Sequence, residues 1–239
     1  MTRFPLTELP LSLASSPLEA AGAGPDRHVG DLSLPVAIHW SPKSPFVRKV
    51  MFVLLECGLG EGVEKIRTVA DRLRPDLAYM ARNPLGTIPA LLLADGRLLV
   101  DSALICDYLL TLRPCPRLLP QSGRARFDVL QRQALADGML DAILFWRQER
   151  LRPEPCQSAQ VHSAYALKAA TALDRMDREM RGLPEAPDLG QIAAGCALAY
   201  LDLRFPDLDW RRGRAELARW HRNFEDLPSA RATRLALEV

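Results

Sequence analysis

The chain has 239 residues, of which 48% are hydrophobic and 25% are charged, and its formal net charge is +2 at pH 7. That length predicts one or two domains with a core large enough to need no disulfides or metal ions. The composition excludes a disordered chain, and the near-neutral charge gives no reason to expect nucleic acid as a partner. No apolar run approaches the roughly 20 residues of a membrane helix, so we expect no membrane association.

The five cysteines lie at positions 57, 106, 115, 156 and 196, and no two of them form a C-x-x-C pair. The four histidines also lack the spacing of metal ligands. We therefore expect no metal site and no disulfide framework, as in a cytoplasmic protein. Cys57, Cys106 and Cys196 fall within apolar helical patterns and are predicted to be small core residues.

Residues 1–34 are rich in Pro, Gly, Ser and Ala and carry no sustained period, which predicts a flexible N-terminal extension. Prolines interrupt its apolar stretch, which disfavours a signal peptide. The regular pattern begins with a short apolar strand at residues 36–40. Ser44 and Pro45 then have the form of an N-cap and a first helical residue, and the helix ends at Gly58.

Strands and helices alternate over the next part of the chain. The predicted elements are a strand at 63–68, a short helix at 75–82, a strand at 88–94, a hairpin turn at 95–96, a return strand at 97–100 and a helix capped by Asp101. The order βαβαββα over residues 35–113 predicts a small mixed sheet. Its first two strands should be parallel and its last two antiparallel.

The composition changes at residues 114–123, where three prolines and a glycine indicate a linker. Beyond it the apolar positions recur only at helical spacing, which predicts an all-helical domain over residues 124–239. The expected helices are 124–151, 156–182, one from Asp188 to just before Pro206, and 212–224. The third opens with DLGQ, which has the spacing of a capping box.

Polar residues at the ends of the first strand suggest a ligand site. In open α/β sheets, ligands bind beyond the carboxyl ends of strands, and a helix N-terminus attracts anions. Ser44 lies at such a junction, within SPKSPF, so that its hydroxyl could donate to an anion. A serine before a helix is also a common N-cap, and the residues alone leave both roles open.

Two further segments carry groups that could bind the same ligand. If the Ile88–Pro89 bond in NPLGTIP is cis, the backbone N–H and C=O of Ile88 turn outward and can pair with a peptide ligand as an added strand does. Asp101 and Ser102 open a helix. They are either a simple cap or a site for the ammonium and carboxylate groups of an α-amino acid.

The ordered set SPKSPFVRKV, NPLGTIPAL and DSALICDYL resembles the glutathione transferase superfamily, and DLGQIAAGCALAYLDLR is similar to the buried capping-box segment of that family. The resemblance covers about residues 35–230. It is strongest to bacterial transferases whose first helix opens with Ser-Pro-Phe/Tyr-Val-Arg-Lys. It implies a thioredoxin-like glutathione-binding domain at 35–113, an all-helical domain at 124–239 and a homodimer.

The resemblance also implies roles for six residues. Ser44 would face the glutathione sulfur as the catalytic residue. The backbone of Ile88 would hydrogen-bond to the cysteinyl backbone of glutathione. Asp101 and Ser102 would hold the γ-glutamyl end of glutathione. The residues implied to bind glutathione are Thr87, Ile88, Pro89, Asp101 and Ser102.

Two positions depart from the family pattern. Thr87 stands where relatives often carry Gln or Lys near the glycyl end, which leaves the partner of the glycyl carboxylate open. Asp101 replaces the commoner Glu and has a shorter reach to the same ammonium. Residues 1–34 match no part of the family pattern.

The function implied by the resemblance is conjugation of the glutathione thiolate to a small hydrophobic electrophile, as in detoxification. A non-enzymatic stress or transcription-associated binding protein, and another glutathione-dependent reaction such as peroxide reduction, isomerisation or dehalogenation, are alternatives. The electrophile would bind between the domains. Leu140, Phe145 and Trp146 are expected to be either its walls or simply core residues. Arg48 and Lys49 are expected on a solvated face.

Overall fold

The computed structural model describes residues 28–237 of the chain. A short antiparallel hairpin, β1 (His28–Val29) and β2 (Leu32–Ser33), precedes a four-stranded sheet. The strands of that sheet are β3 (Pro35–Trp40), β4 (Glu64–Arg67), β5 (Ala90–Leu93) and β6 (Leu98–Leu99), in the spatial order β4-β3-β5-β6. The helices of this part are α1 (Pro45–Glu56), α2 (Leu77–Met80) and α3 (Ser102–Leu112).

The pairing of the strands agrees with the prediction. β3 and β4 are parallel, because α1 carries the chain back between them, and β5 and β6 are antiparallel across their hairpin turn. β3 and β5 are also antiparallel and pair from Pro35 to His39. The sheet is therefore mixed, as in the thioredoxin-like fold.

The rest of the described chain is helical. Its helices are α4 (Gly123–Arg150), α5 (Ala159–Met180), α6 (Leu189–Arg204), α7 (Ala215–Asp226) and α8 (Pro228–Ala232), with one 3-10 turn at Glu154–Cys156. The predicted fold class, a thioredoxin-like α/β part followed by an all-helical part, is confirmed. The capping box at the start of α6 is present, with Asp188 and Gln191 bonded to each other's backbone N–H groups.

Three short elements were not predicted from the sequence pattern, namely the 3-10 turn, helix α8 and the hairpin β1–β2. Helix α8 is only one short turn, and the hairpin β1–β2 lies at the end of the segment predicted as a flexible extension. The Ser33 hydroxyl donates to Asp95 Oδ2 at 2.8 Å, and the Tyr108 hydroxyl donates to the Ser33 carbonyl at 2.7 Å. These two contacts fix the hairpin to the turn between β5 and β6 and to α3. The remainder of the predicted extension, residues 1–27, lies outside the described residues.

The expectation that Arg48 and Lys49 face solvent is wrong. Both side chains are 1% exposed, because α1 packs against α3 and against α6 and α8 of the helical part. The Arg48 guanidinium lies 2.9 Å from Glu225 Oε1 on α7, and Lys49 Nζ lies 2.6 Å from Asp137 Oδ2 on α4. The two basic residues therefore join the α/β part to the helical part.

The predicted core cysteines lie close to this junction. Cys106 and Cys196 are fully buried, and burial raises the pKa of each thiol to about 12. Cys57 is half-buried at the end of α1. No helix within residues 28–237 combines the length and the apolar character that a membrane crossing requires.

Candidate functional site

Three loops meet at one end of the sheet, referred to as its site edge, where β3 and β6 end and β5 begins. His39, next to the end of β3, lies opposite Ala90 at the start of β5, and Leu91 lies opposite Leu99 at the end of β6. Three segments therefore lie side by side at this edge: the one after β3, the one before β5 and the one after β6. They carry all six residues that the sequence pointed to, namely Ser44, Thr87, Ile88, Pro89, Asp101 and Ser102.

Ser44 is the N-cap of α1 and is partly exposed. Its Oγ accepts a hydrogen bond from the Val47 N–H at 3.2 Å. That bond uses an oxygen lone pair, and the hydroxyl hydrogen is donated to no other residue among 28–237. The hydroxyl can therefore cap the helix and still donate to a ligand, beside the positive end of the helix dipole.

The loop before β5 is held rigidly by its own side chains. The Thr87 carbonyl accepts hydrogen bonds from Asn83 Nδ2 at 2.8 Å and from the Tyr79 hydroxyl at 2.7 Å. The Ile88–Pro89 bond is cis. Within the described part of the chain, neither the N–H nor the C=O of Ile88 has a backbone partner, so both groups are available to an extended ligand.

Asp101 is the N-cap of α3 and is exposed. Its Oδ1 accepts from the N–H groups of Ala103 and Leu104 at 3.1 and 3.2 Å. The second carboxylate oxygen has no partner among residues 28–237, so one oxygen caps the helix while the other can face an ammonium. Ser102 beside it is 4% exposed, whereas the Thr87 side chain is exposed.

Helix α4 meets the α/β part through two side-chain pairs, Lys49 of α1 with Asp137 and Arg72 of the loop after β4 with Phe145. Partial burial raises the pKa of the Asp141 carboxyl, Arg72 opposes that rise, and Asp137 and Asp101 add to it. The charges of Arg72, in the loop after β4, and of Asp101, at the start of α3, thus both act on the Asp141 carboxyl. The region between these loops and the face of α4 that carries Asp141 and Phe145 is the candidate cleft.

The three aromatic and apolar residues proposed on α4 divide between the core and the cleft. Leu140 and Trp146 are 1% and 7% exposed and belong to the core. Phe145 is 53% exposed, and the Arg72 guanidinium lies 5.1 Å from the centre of its ring. Of the three, only Phe145 can form a wall of the cleft.

No sequence pattern indicates Arg72, which follows β4 and lies beside the Phe145 ring of α4. Lys49 was misplaced, although the apolar run FVRKVMFV around it indicates a helix buried on all sides. A charged residue within such a run must have a buried partner, and Asp137 is that partner.

The C-terminal segment lies behind Ser44. The Ala236 N–H donates to the Pro42 carbonyl at 3.0 Å, in the turn just before α1. A small cavity of about 50 Å³ remains between them, lined by Ser44, Trp40 and Leu235 among others. This segment therefore covers one side of the loop that carries Ser44.

The histidines within residues 28–237 whose side chains are described have structural partners. His39 Nδ1 lies 2.9 Å from Thr68 Oγ1, and burial lowers the pKa of this imidazole. The Trp146 indole donates to His162 Nδ1 at 2.9 Å. No three His, Cys, Asp or Glu side chains in this range come together in a way that could hold a metal ion.

Comparison with known proteins places the chain in a family. Residues 43–112 match the model of the glutathione S-transferase N-terminal domain, and residues 159–223 match that of the C-terminal domain. The chain is 31% identical over 180 residues to the uncharacterized GST-like protein YibF of Escherichia coli K12, covering 74% of this chain and 87% of YibF.

Solved structures agree. A glutathione transferase family member from Pseudomonas fluorescens Pf-5, with bound glutathione, superposes with a TM-score of 0.79 at 37% identity, over 84% of this chain and 99% of that one. A second Pf-5 structure, with bound S-(propanoic acid)-glutathione, gives a TM-score of 0.76 at 36% identity and the same coverage. The chain belongs to the glutathione S-transferase family.

Proposed function

We propose that the protein is a glutathione transferase that joins the glutathione sulfur to a small hydrophobic electrophile. The observation that carries this proposal is the free hydroxyl hydrogen of Ser44 at the N-terminus of α1, on the same sheet edge as Ile88 and Asp101. In the reaction, the thiolate attacks the electrophilic carbon and the S–C bond forms. The leaving group departs with its bonding electrons, and the thiol proton passes to solvent.

Ser44 would stabilise the thiolate. A free thiol has a pKa of about 8.5, so only a few per cent is ionised at neutral pH. A hydrogen bond to a charged group contributes about 1.5–3 kcal/mol, and one pKa unit corresponds to about 1.4 kcal/mol. The Ser44 hydroxyl and the helix N-terminus together would therefore lower the thiol pKa by about one to two units.

The remaining predicted residues would hold the tripeptide. The unpaired N–H and C=O of Ile88, next to Pro89, suit the cysteinyl backbone. The second oxygen of Asp101 suits the γ-glutamyl ammonium, and the Ser102 hydroxyl suits its carboxylate. Thr87 would lie near the glycyl end. Two structures of a relative contain bound glutathione or a glutathione thioether, which supports glutathione as the ligand.

The wider context follows from the family and is part of the same proposal. We propose a cytoplasmic homodimer, a role in detoxification, a glutathione-binding domain at residues 35–113, a linker at 114–123 and a helical domain to residue 239. Glutathione is the co-substrate and no metal is required.

The test is an assay of conjugation to a chlorodinitrobenzene for the wild type and for Ser44→Ala. Ser158→Ala is the matched control, because Ser158 is the N-cap of α5 and its Oγ also accepts from the backbone N–H three residues on, at 3.3 Å. We expect Ser44→Ala to lose most of the activity and Ser158→Ala to keep it. Equal activity in both variants would remove Ser44 from the reaction, and failure to bind glutathione in calorimetry would favour a non-enzymatic role.

A further inference from the structure

One peptide unit at the site edge is held by two buried side chains. The carbonyl of Thr87 accepts hydrogen bonds from the Tyr79 hydroxyl at 2.7 Å and from Asn83 Nδ2 at 2.8 Å. Asn83 Nδ2 also lies 3.2 Å from the Tyr79 hydroxyl oxygen, so the two donors contact each other. The Tyr79 residue is 7% exposed and Asn83 is 1% exposed. The Thr87 carbonyl therefore points into the protein.

The direction of this carbonyl fixes the direction of the Ile88 N–H, which belongs to the same peptide unit. The Thr87–Ile88 bond is trans. In a planar trans peptide the C=O and the N–H point in opposite directions. Because the carbonyl points inward, the Ile88 N–H points outward, and it has no backbone partner among residues 28–237. This is the N–H that the proposed function assigns to the cysteinyl backbone of glutathione.

The two bonds also make the Ile88 N–H a stronger donor. A hydrogen bond to the oxygen of a peptide unit polarises that unit, which strengthens the bond that its own N–H makes. Burial raises the pKa of the Tyr79 hydroxyl, so this hydroxyl stays protonated and donates at neutral pH. The orientation and the donor strength of the Ile88 N–H therefore both depend on buried side chains behind it.

Neighbouring residues hold the two donors in place. The His39 ring, on β3, lies 4.6 Å from the Tyr79 ring between centres. Asn83 Oδ1 accepts from the Leu85 N–H at 3.2 Å. That bond sets the orientation of the amide group, because only its oxygen can accept, and it leaves Nδ2 directed at Thr87. The contacts thus keep both donors on the Thr87 carbonyl.

We propose that Tyr79 and Asn83 are positioning residues for glutathione, which hold the Thr87–Ile88 peptide so that its N–H meets the cysteinyl carbonyl of the tripeptide. They act through this peptide unit and not by contact with the ligand. A group that is already oriented saves the cost of ordering it when the ligand binds. The inference rests on the proposed glutathione transferase function and adds the residues that set its affinity for glutathione.

The test compares two tyrosines that make the same kind of bond. Tyr79→Phe removes the hydroxyl that donates to the Thr87 carbonyl. Tyr108→Phe is the matched control, because the Tyr108 hydroxyl donates to the Ser33 carbonyl at the same distance of 2.7 Å, beside the hairpin β1–β2. Calorimetry would measure the affinity of the wild type and of each variant for S-methylglutathione. This ligand keeps the peptide backbone of glutathione and has no thiol to ionise.

We expect Tyr79→Phe to weaken the binding of S-methylglutathione about three- to tenfold, the factor that corresponds to one hydrogen bond, and Tyr108→Phe to leave it unchanged. In the conjugation assay, Tyr79→Phe should raise the KM for glutathione by the same factor and keep kcat within about twofold, because it removes binding and not chemistry. Asn83→Ala should weaken binding at least as much. Tyr79→Phe keeps the proposal testable even if Asn83→Ala, which also loses the Leu85 contact, does not fold.

The outcomes separate the two proposals. If the wild type and Tyr79→Phe bind S-methylglutathione equally well, the positioning role is wrong and the transferase function stands. If Tyr108→Phe weakens binding as much as Tyr79→Phe, the effect is a general loss of stability, and the positioning role is again wrong. A fall in kcat with an unchanged KM in Tyr79→Phe would also contradict it. If the wild type binds neither glutathione nor S-methylglutathione, the proposed function fails, and this inference fails with it.

Discussion

Lys49 Nζ on α1 lies 2.6 Å from Asp137 Oδ2 on α4, and the lysine side chain is 1% exposed while the aspartate is 21% exposed. The Phe46 ring lies 5.6 Å from the same ammonium. Because α1 begins next to the candidate catalytic residue, this ion pair fixes the orientation of that helix against α4. It joins the α/β part to the helical part within the first turns of α1.

The first prediction concerns this pair. Lys49→Met should lower the free energy of unfolding by about 2–4 kcal/mol, because it leaves Asp137 partly buried without its cation. The measurement is urea unfolding at neutral pH. Lys168→Met, which changes an exposed lysine on α5, is the control and should change stability by less than about 0.5 kcal/mol.

The double variant Lys49→Met with Asp137→Leu completes the test. Removing both charges should restore part of the lost stability, since a buried ion pair can often be replaced by apolar residues. Strictly additive losses in the two single variants would contradict a direct coupling between Lys49 and Asp137.

The second prediction concerns Glu225, which faces Arg48 at 2.9 Å, His221 at 3.5 Å and Arg234 at 3.8 Å. Burial raises the pKa of this carboxyl, but His221 and Arg48 outweigh that effect and hold the pKa at about 2, below its ordinary 4.5. The folded state therefore favours the ionised form. The resulting stability is complete above about pH 4.5 and is lost as the pH falls toward 2.

Unfolding free energies measured from pH 6 down to pH 3 check this expectation. Glu225→Gln should be less stable than the wild type at pH 6 by about 2–3 kcal/mol, and the gap should narrow as the pH falls. A gap that stays constant over this range would show that the charge of Glu225 does not stabilise the fold.

The third prediction compares two helical glycines. A Cβ on Gly190 would lie 2.6 Å from Arg132 Cβ and 2.7 Å from the Val129 carbonyl oxygen, where α6 crosses α4. Gly190→Ala should therefore lower the melting temperature, at a cost of about 1–3 kcal/mol or more. Gly138 in α4 has nothing within 4 Å of its added Cβ, so Gly138→Ala should stabilise by about 0.5–1 kcal/mol. Changes of the same sign would contradict the close crossing of the two helices.

The fourth prediction separates charge from capping at Asp101. Asn can replace Asp as an N-cap, so Asp101→Asn should keep the stability of α3 while it weakens glutathione binding about tenfold. Asp76→Asn is the matched control. Asp76 caps α2 in the same way, because its Oδ1 accepts from the backbone N–H groups two and three residues on, at 3.0 and 3.1 Å. Calorimetry with glutathione gives both affinities. Equal affinities would mean that Asp101 only caps its helix.

The sequence predicted the sheet, the long helices and the fold class, because local signals mark them. Ser44-Pro45, Asp101 and the D-G turn each fix an element end by their own chemistry. The register of the strands then brings the six predicted residues together, since the three segments that carry them end at the same edge. The meeting of these six residues can thus be predicted from short motifs.

The side of the candidate cleft formed by Arg72 and α4 could not be predicted from the sequence. Arg72 lies in the loop after β4, and no local pattern places it beside Phe145 of α4. Arg48 and Lys49 were misplaced because helical periodicity marks a face only when one face is exposed, and α1 is covered on both sides. Phe145 and Trp146 are neighbours in sequence, and only packing decides which one faces the cleft.

The central claim is that the Ser44 hydroxyl stabilises the glutathione thiolate. The measurement is an ultraviolet titration of the thiolate of bound glutathione in the wild type, in Ser44→Ala and in Ser158→Ala. The bound thiol should titrate about one to two pKa units below the free value of about 8.5 in the wild type and in Ser158→Ala. It should return toward the free value in Ser44→Ala. A bound thiol that titrates at the same pH in all three proteins would contradict the account.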